Sequence, residues 1–432
     1  MKTRVEETGP CRRTLWVEAD WNDVATEYEQ LLGKYTSQAK LPGFRKGKAP
    51  ADVVERRFRK PLEQDAKEQL VPKFYQEGLK ETQLEPVAVV GADQVELSRE
   101  NGLSFRVVVD VAPKFKLPKY RKIGLKSEST EVSDEDLDKA IEGLRLRFSR
   151  YEDVEGRPVK PDDLVLIDYT GRTTDGQSLS DLASDCSGLG EGADFWALAG
   201  EPEFIPGLTK ELHGLSVGDE KDITITFAED FHVPAVAGKE AVYHVKVKGI
   251  RERIMPALDE AFAKNFQAES VEALRARVAE DMKKAAEERE RERLKSEITE
   301  FLVEKTKIDP PESLVEHQAR QTFYSMARSM IRQGATKEQV EERHEQLSAQ
   351  AAGVAANRVK LEFILKAIAG EENIAVSEDD MNEHIQNMST QYQMPPERLR
   401  AELEQRERMD GVRDELLCNK TLDFLLEEAK IK

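Results

Sequence analysis

The spacing of apolar residues switches between period two and period 3.6 along this chain, and each switch predicts an element. Thr14 to Ala19 (TLWVEA) alternates apolar and polar side chains as a strand does. Asp20 then stands as an N-cap, with Asp23 three positions on, before a helix through Leu32. Ala51 to Phe58 and Leu62 to Thr82 read as helices, the second placing Leu62, Ala66, Leu70, Phe74 and Leu79 near one face. Strand-like runs follow at Pro86 to Val90 and Leu103 to Val111, the second entered through the turn pair Asn101-Gly102. Residues 1–115 are thereby predicted to form a small α+β domain.

Ala112 to Ile123 (APKFKLPKYRKI) carries two prolines and five cations and reads as an extended connection. Ser133 and Asp136 make a capping-box pattern ahead of a helix to Arg150, with Leu137, Ile141, Leu144 and Phe148 in one stripe. Over 156–250 short apolar runs alternate with Gly and Pro turns, the pattern of a small antiparallel β domain. Its strands are predicted at Leu164 to Tyr169, Asp222 to Phe227 and Ala241 to Val247.

From 251 to 432 the period is helical almost throughout. Ser270 caps a long segment with Val271, Leu274, Val278 and Met282 on one side, and Pro310-Pro311 interrupts it. Val359 to Ile368 is densely apolar, Ser377 caps the segment bearing Met381, Ile385 and Met388, and Pro395-Pro396 opens the last helices. No heptad is regular enough for a continuous coiled coil.

Composition narrows the class. With 39% hydrophobic and 34% charged residues the chain is globular but rich in surface, which predicts an elongated, strongly helical, multidomain α+β protein. Cys11, Cys186 and Cys418 have neither CxxC nor metal-ligand spacing, and the histidines are scattered, so neither a disulfide framework nor a metal site is expected. No Walker A pattern occurs, and no cofactor is predicted. The N-terminal MKTRVEETGPCRRTL lacks an apolar h-region, and no run approaches the roughly 18 apolar residues of a membrane span. A cytoplasmic protein with no membrane partner is the expectation.

The charge is unevenly spread. Between Lys40 and Lys60 eight cations face two carboxylates, in a chain of formal charge -19. The centre of this stretch is LPGFRKGKAP, Leu41 to Pro50, where glycines that tolerate positive φ and prolines that fix φ shape a loop tip. A basic tip on an acidic protein points to a polyanion such as RNA, and Phe44 at that tip is a candidate anchor for a partner.

GFRKGKAP resembles the ribosome-docking signature of the trigger factor family, bacterial chaperones that sit at the exit of the ribosomal tunnel. The resemblance implies that Gly43, Phe44, Arg45, Lys46, Gly47 and Lys48 contact a ribosomal protein and adjacent ribosomal RNA. It further implies nascent or unfolded polypeptides as partners, and a 116–155 linker and helix packed on a helical C-terminal chaperone domain at 251–432. A homodimer is an option it leaves for the free protein.

A second resemblance covers the β segment. LVLIDYTGRTTDGQSL, FWALAGEPEFIPGLTKELHGLSVGDEKDITI, EDF and AVYHVKV, in that order, are similar to the FKBP-type peptidyl-prolyl isomerase fold. Such an enzyme needs only a dry apolar cup that favours the twisted X-Pro amide over the planar one, against a barrier of about 18 to 20 kcal/mol. The family pattern puts Tyr169, Phe195, Phe204, Ile205, Phe231 and Tyr243 on the walls, with Leu179 and Leu208 alongside. Leu208 replaces an aromatic, Leu179 stands where an aromatic is common, and Ser180 stands where an acid is usual. These departures imply a wider pocket and weaker isomerase activity.

Holding a nascent chain needs apolar patches broken up enough to keep the holder soluble, and adaptable Met surfaces suit many partners. Phe323, Tyr324, Met326, Met330 and Ile331, with Met381, Ile385, Met388, Tyr392 and Met394, are the candidates. On residues alone two other readings stay open, a ribosome-independent FKBP-type isomerase and a non-catalytic helical holdase or scaffold.

Overall fold

The alternating segments near the N-terminus build one antiparallel sheet from β1 (Lys2–Glu7), β2 (Arg12–Ala19), β3 (Pro86–Ser98) and β4 (Gly102–Val111), in the spatial order β1-β2-β4-β3. Between β2 and β3 run α1 (Trp21–Gln38), α2 (Ala51–Arg57) and α3 (Arg59–Thr82). In this computed structural model the described chain is everything except residues 43, 183–187, 201–202, 204, 230, 232, 234 and 407. Leu15, Val17, Phe105, Val107 and Val109 turn one sheet face onto Leu62, Ala66, Leu70 and Phe74 of α3, the stripe predicted for that helix. Asp20 has the extended backbone of an N-cap, yet its side chain caps nothing, and Asp23 instead accepts from the Met1 amino group at 3.0 Å. β1 was not predicted because five of its six residues are exposed and its charges hide any alternation.

The extended connection after β4 ends in β5 (Gly124–Leu125). Contacts divide the chain into two units, Met1–Glu128 with Glu290–Lys432, and Ser129–Arg289. In the second unit α4 (Asp134–Arg147) starts at Ser133, whose Oγ accepts from the Asp136 amide at 3.2 Å. β6 (Arg150–Asp153), β7 (Leu164–Thr173), the short α5 (Leu179–Leu182), β8 (Glu191–Leu198), β9 (Glu220–Thr226) and β10 (Glu240–Ile254) follow. The sheet order is β6-β10-β7-β8, with β9 on β10, and every pairing is antiparallel. The predicted strands fall in β7, β9 and β10; β6 and β8 add strands whose mostly polar or irregular patterns gave no signal. α6 (Glu260–Lys264) and the start of α7 (Val271–Lys305) bury Phe262, Ala263, Ala268 and Leu274, on which Leu144 of α4 packs.

The helical remainder consists of α8 (Glu312–Arg332), α9 (Lys337–Glu342), α10 (His344–Glu372), α11 (Glu378–Tyr392), α12 (Pro396–Gln405) and α13 (Met409–Glu427), closing on β11 (Lys430–Ile431). β11 pairs in parallel with β5. Ile123 and Leu125 of the connection share a core with Leu294, Ile298, Leu302, Ile364, Leu365, Ile368 and Leu425. Among the described residues no helix is long and apolar enough to cross a membrane.

Candidate functional site

Three places carry the residues singled out above. The first is the loop between α1 and α2. Its base is closed by Ala39 and Ala49, both buried, and its turns by the Phe44 amide on the Leu41 carbonyl at 3.1 Å and the Lys48 amide on the Arg45 carbonyl at 2.9 Å. Gly47 sits at φ +73, and a Cβ there would meet the Ser37 carbonyl oxygen at 3.1 Å, so glycine is required where the loop folds back on α1. The result is a braced tip. Phe44 is 43% exposed, Arg45, Lys46 and Lys48 are exposed, and none of these cations makes an ion pair among the described residues. Gly43 lies outside the described residues.

The second place is the cup in the β domain. Tyr169 on β7 and Tyr243 on β10 are buried, their rings 6.3 Å apart, and Phe195 on β8 meets Tyr169 edge-on at 5.8 Å. The Tyr243 hydroxyl donates to the Leu189 carbonyl at 2.8 Å, and that of Tyr169 donates to the Gly188 carbonyl. Burial raises the pKa of both phenols above the ordinary tyrosine value, so they stay protonated donors and supply neither acid nor base at neutral pH. Phe231 lies tilted against the buried Phe227, with ring centroids 4.8 Å apart. The backbone comes close on the other side: a Cβ at Gly171 would lie 2.6 Å from the Tyr243 ring and 2.7 Å from Leu179.

Leu179, Ile205 and Leu208 are 0%, 0% and 1% exposed in the core of this domain. All three are packed among core neighbours rather than left open to solvent. Phe195 and Phe231 are the half-exposed members of the set, and Phe204 lies outside the described residues. A cavity of ≈ 560 Å³ in this domain is lined instead by polar neighbours such as Thr170, Arg172, Gln177 and Asp181.

The third place is the helical part, where two similar stripes have different fates. α8 has no buried residue: Tyr324 is 65% and Ile331 47% exposed, with Met326 and Met330 half-buried and Phe323 against the His344 ring at 4.9 Å. Met381 and Ile385, expected on a client surface, are core instead, at 0% and 3% exposure with Leu399, Leu403 and Val412. Met388 and Met394 pack partly on that cluster, while Tyr392 is exposed. α12 and α13 supply the cover that α8 lacks.

One constellation was not anticipated. Asp110, at the end of β4, is 1% exposed and accepts from Arg12 Nε at 3.0 Å and from Ser313 Oγ at 2.5 Å, so the first turn of α8 is tied to the N-terminal sheet. Burial pushes the Asp110 pKa up, and the Arg12 and Ser313 hydrogen bonds outweigh it, holding the carboxyl below its ordinary value. Beside it the Cys11 thiol donates to the Asp309 carbonyl at 3.2 Å. An acid in alternation with valines in a strand was the only available signal.

Comparison with known proteins covers almost the whole chain. Residues 1–144 match the family model for bacterial trigger factor protein, 155–248 that for FKBP-type peptidyl-prolyl cis-trans isomerase, and 270–427 that for the trigger factor C-terminus. The trigger factor of Opitutus terrae is 32% identical over 435 residues, spanning 100% of this chain and 98% of that protein. Those of Brevibacillus brevis and a Geobacillus species are 31% and 30% identical, over 96% and 100% of this chain and 96% and 100% of their own lengths. A solved trigger factor chaperone aligns over 99% of both chains at 20% identity and a TM-score of 0.48.

Proposed function

The chain belongs to the trigger factor family and carries an FKBP-type peptidyl-prolyl isomerase domain, and from that premise we propose that it is an ATP-independent cytoplasmic chaperone tethered to the ribosome by its loop 41–50. The observation that carries the tether is Phe44, a 43% exposed ring on a loop braced by its own hydrogen bonds, flanked by Arg45, Lys46 and Lys48 without ion-pair partners among the described residues. An exposed aromatic is a ready hot spot for a protein pocket, and unpaired cations suit the phosphates around it.

Nascent polypeptides would then meet the exposed face of α8, where Phe323, Tyr324, Met326, Met330 and Ile331 offer apolar area between charged residues. In the β domain Phe195 and Phe231 present the apolar surface on which a proline ring rests, Phe195 backed by the Tyr169 ring and Phe231 by the Phe227 ring. Exclusion of water from the X-Pro amide favours its less polar twisted form, and no proton transfer is needed.

Co-sedimentation with ribosomes tests the tether. Wild type should pellet with the particles, and the triple variant F44A/R45A/K46A should stay in the supernatant. Equal pelleting of the two would overturn the reading. Proline-limited refolding of a substrate, with and without F195A/F231A, separately tests the cup.

A further inference from the structure

The connection between β4 and β5 does more than join them. From Pro113 to Lys126 the chain reads PKFKLPKYRKIGLK, six cations and no carboxylate in a protein of charge -19. Phe115, Leu117, Tyr120, Ile123 and Leu125 turn inward onto the helical core, which leaves Lys114, Lys116, Lys119, Lys122 and Lys126 exposed in a row. Arg121 is held by Glu372 at 2.5 Å; among the described residues the five lysines make no ion pair.

The C-terminal end of the row is anchored by the backbone. The Lys122 amide donates to the Glu428 carbonyl at 3.2 Å, the Ser127 amide to the Lys432 carbonyl at 3.1 Å, and β11 pairs with β5 and brings Lys430 and Lys432 beside the end of the row. An extended chain rises about 3.1 to 3.3 Å per residue, so successive lysines from 114 to 119 stand about 6 to 10 Å apart, a spacing suited to consecutive phosphates of one strand. Along the same stretch a surface cavity of ≈ 660 Å³ is lined by Lys114, Lys116, Phe115, Tyr120 and, on α10, Glu371.

We propose that residues 113–126 are a second, RNA-binding contact, in which lysines track a single-stranded phosphate backbone and the half-buried Phe115 ring, which lines the adjoining cavity, offers its outer edge to a base. A cationic track interleaved with aromatics is the usual make-up of a single-strand site. An apolar client segment finds little grip here, because the strap's apolar side chains are packed inward. Of the carboxylates on α10, Glu372 is paired with Arg121, while Glu371 accepts from the neutral Tyr120 hydroxyl and keeps its charge; among the described residues neither makes an ion pair with a lysine of the row. The inference rests on the proposed tether only for the source of the RNA, which would be ribosomal RNA exposed near the docking point.

The test replaces Lys114, Lys116, Lys119, Lys122 and Lys126 by glutamine in the full chain. All five side chains are exposed, and far-UV circular dichroism checks that the fold is retained. Binding to poly-uridylate without ribosomes should weaken strongly, and the slope of log affinity against log salt should flatten by up to about 3.5, on the basis of roughly 0.7 per single-strand phosphate contact. On ribosomes the same variant should show a shallower salt dependence while still docking through loop 41–50. Unchanged poly-uridylate affinity and slope would overturn the inference, as would loss of poly-glutamate binding alone, which would make the strap an acidic-peptide surface. If F44A/R45A/K46A still pellets with ribosomes, the tether fails while the RNA contact of the strap stands.

Discussion

Replacing Asp110 by alanine should loosen the join between the N-terminal sheet and the first turn of α8. The carboxylate accepts from Arg12 Nε at 3.0 Å, from Arg12 Nη2 at 3.4 Å, and from the Ser313 hydroxyl and amide at 2.5 and 3.3 Å. Breaking a buried pair by removing one partner costs about 3 to 5 kcal/mol when the other charge is stranded. Arg12 is not fully stranded, because its side chain is 31% exposed and it also reaches Glu312 at 3.2 Å. Discounting for that exposure leaves about 2 to 3 kcal/mol, or roughly 30- to 150-fold in a local opening equilibrium. Hydrogen exchange read on the amides of 312–317 should therefore speed up by that factor, while amides of the β domain stay unchanged. The pH dependence has a definite sign. A depressed carboxylate contributes stability above its ordinary value of 3.8 and loses it as pH falls through the lower folded value, so wild type should lose this protection only below about pH 4, and the alanine variant should show no such step. Exchange at 312–317 within threefold of wild type at neutral pH would refute the reasoning.

Further outcomes follow from single contacts. Gly171→Ala should destabilise the isomerase domain by about 1 to 3 kcal/mol, since its Cβ would lie 2.6 Å from the Tyr243 ring, and denaturant unfolding of the protein followed by Tyr and Trp fluorescence reads the shift. Met381→Ala should cost about 2 to 5 kcal/mol in the α11 cluster, whereas Met330→Ala on α8 should cost less than about 1 kcal/mol and instead weaken suppression of aggregation of an unfolded client. Because burial raises both phenols of the cup above the usual value of 10.0, their stabilising hydrogen bonds persist below that value and are lost only as pH rises past it. The isomerase rate should thus be flat from about pH 5 to 9, and a bell-shaped profile there would contradict a mechanism without proton transfer.

What the sequence displayed and what it hid separate along physical lines. Regular elements with a buried face announced themselves: the α3 stripe, the Ser133 and Ser377 caps and the three alternating strands are all in place. β1, β6 and β8 did not, because edge or half-exposed strands need no alternation. The error over Met381 and Ile385 has a different origin. Their spacing on α11 is indistinguishable from that of the α8 stripe, and what distinguishes them is the later stripe Leu399, Leu403 and Val412, which folds back over them. A helix face is core or surface according to what the chain supplies next. Asp110 was invisible for a related reason, since its partners lie 98 and 203 residues away.

The same logic bears on how an acidic protein keeps its cationic sites available. Along α7 and α13 many of the cations are matched by neighbouring acids: Lys284 with Glu280, Arg293 with Glu290 and Glu297, Lys420 with Asp380, and on α10 Lys366 with Glu362 and Asp414. A matched cation presents little field to a passing polyanion, and the net charge of -19 repels one. The loop at 45–48 and the strap at 114–126 are instead runs where neighbouring cations have no acid within reach among the described residues, Arg121 excepted. The loop is braced by backbone hydrogen bonds, and the strap by backbone hydrogen bonds at its 122–127 end and by the packing of Phe115, Leu117 and Tyr120 along the rest, so their like charges are held together against mutual repulsion. Fold energy spent on keeping like charges adjacent and unpaired has no use in a solvated linker. It makes sense where an external anion completes the pairing.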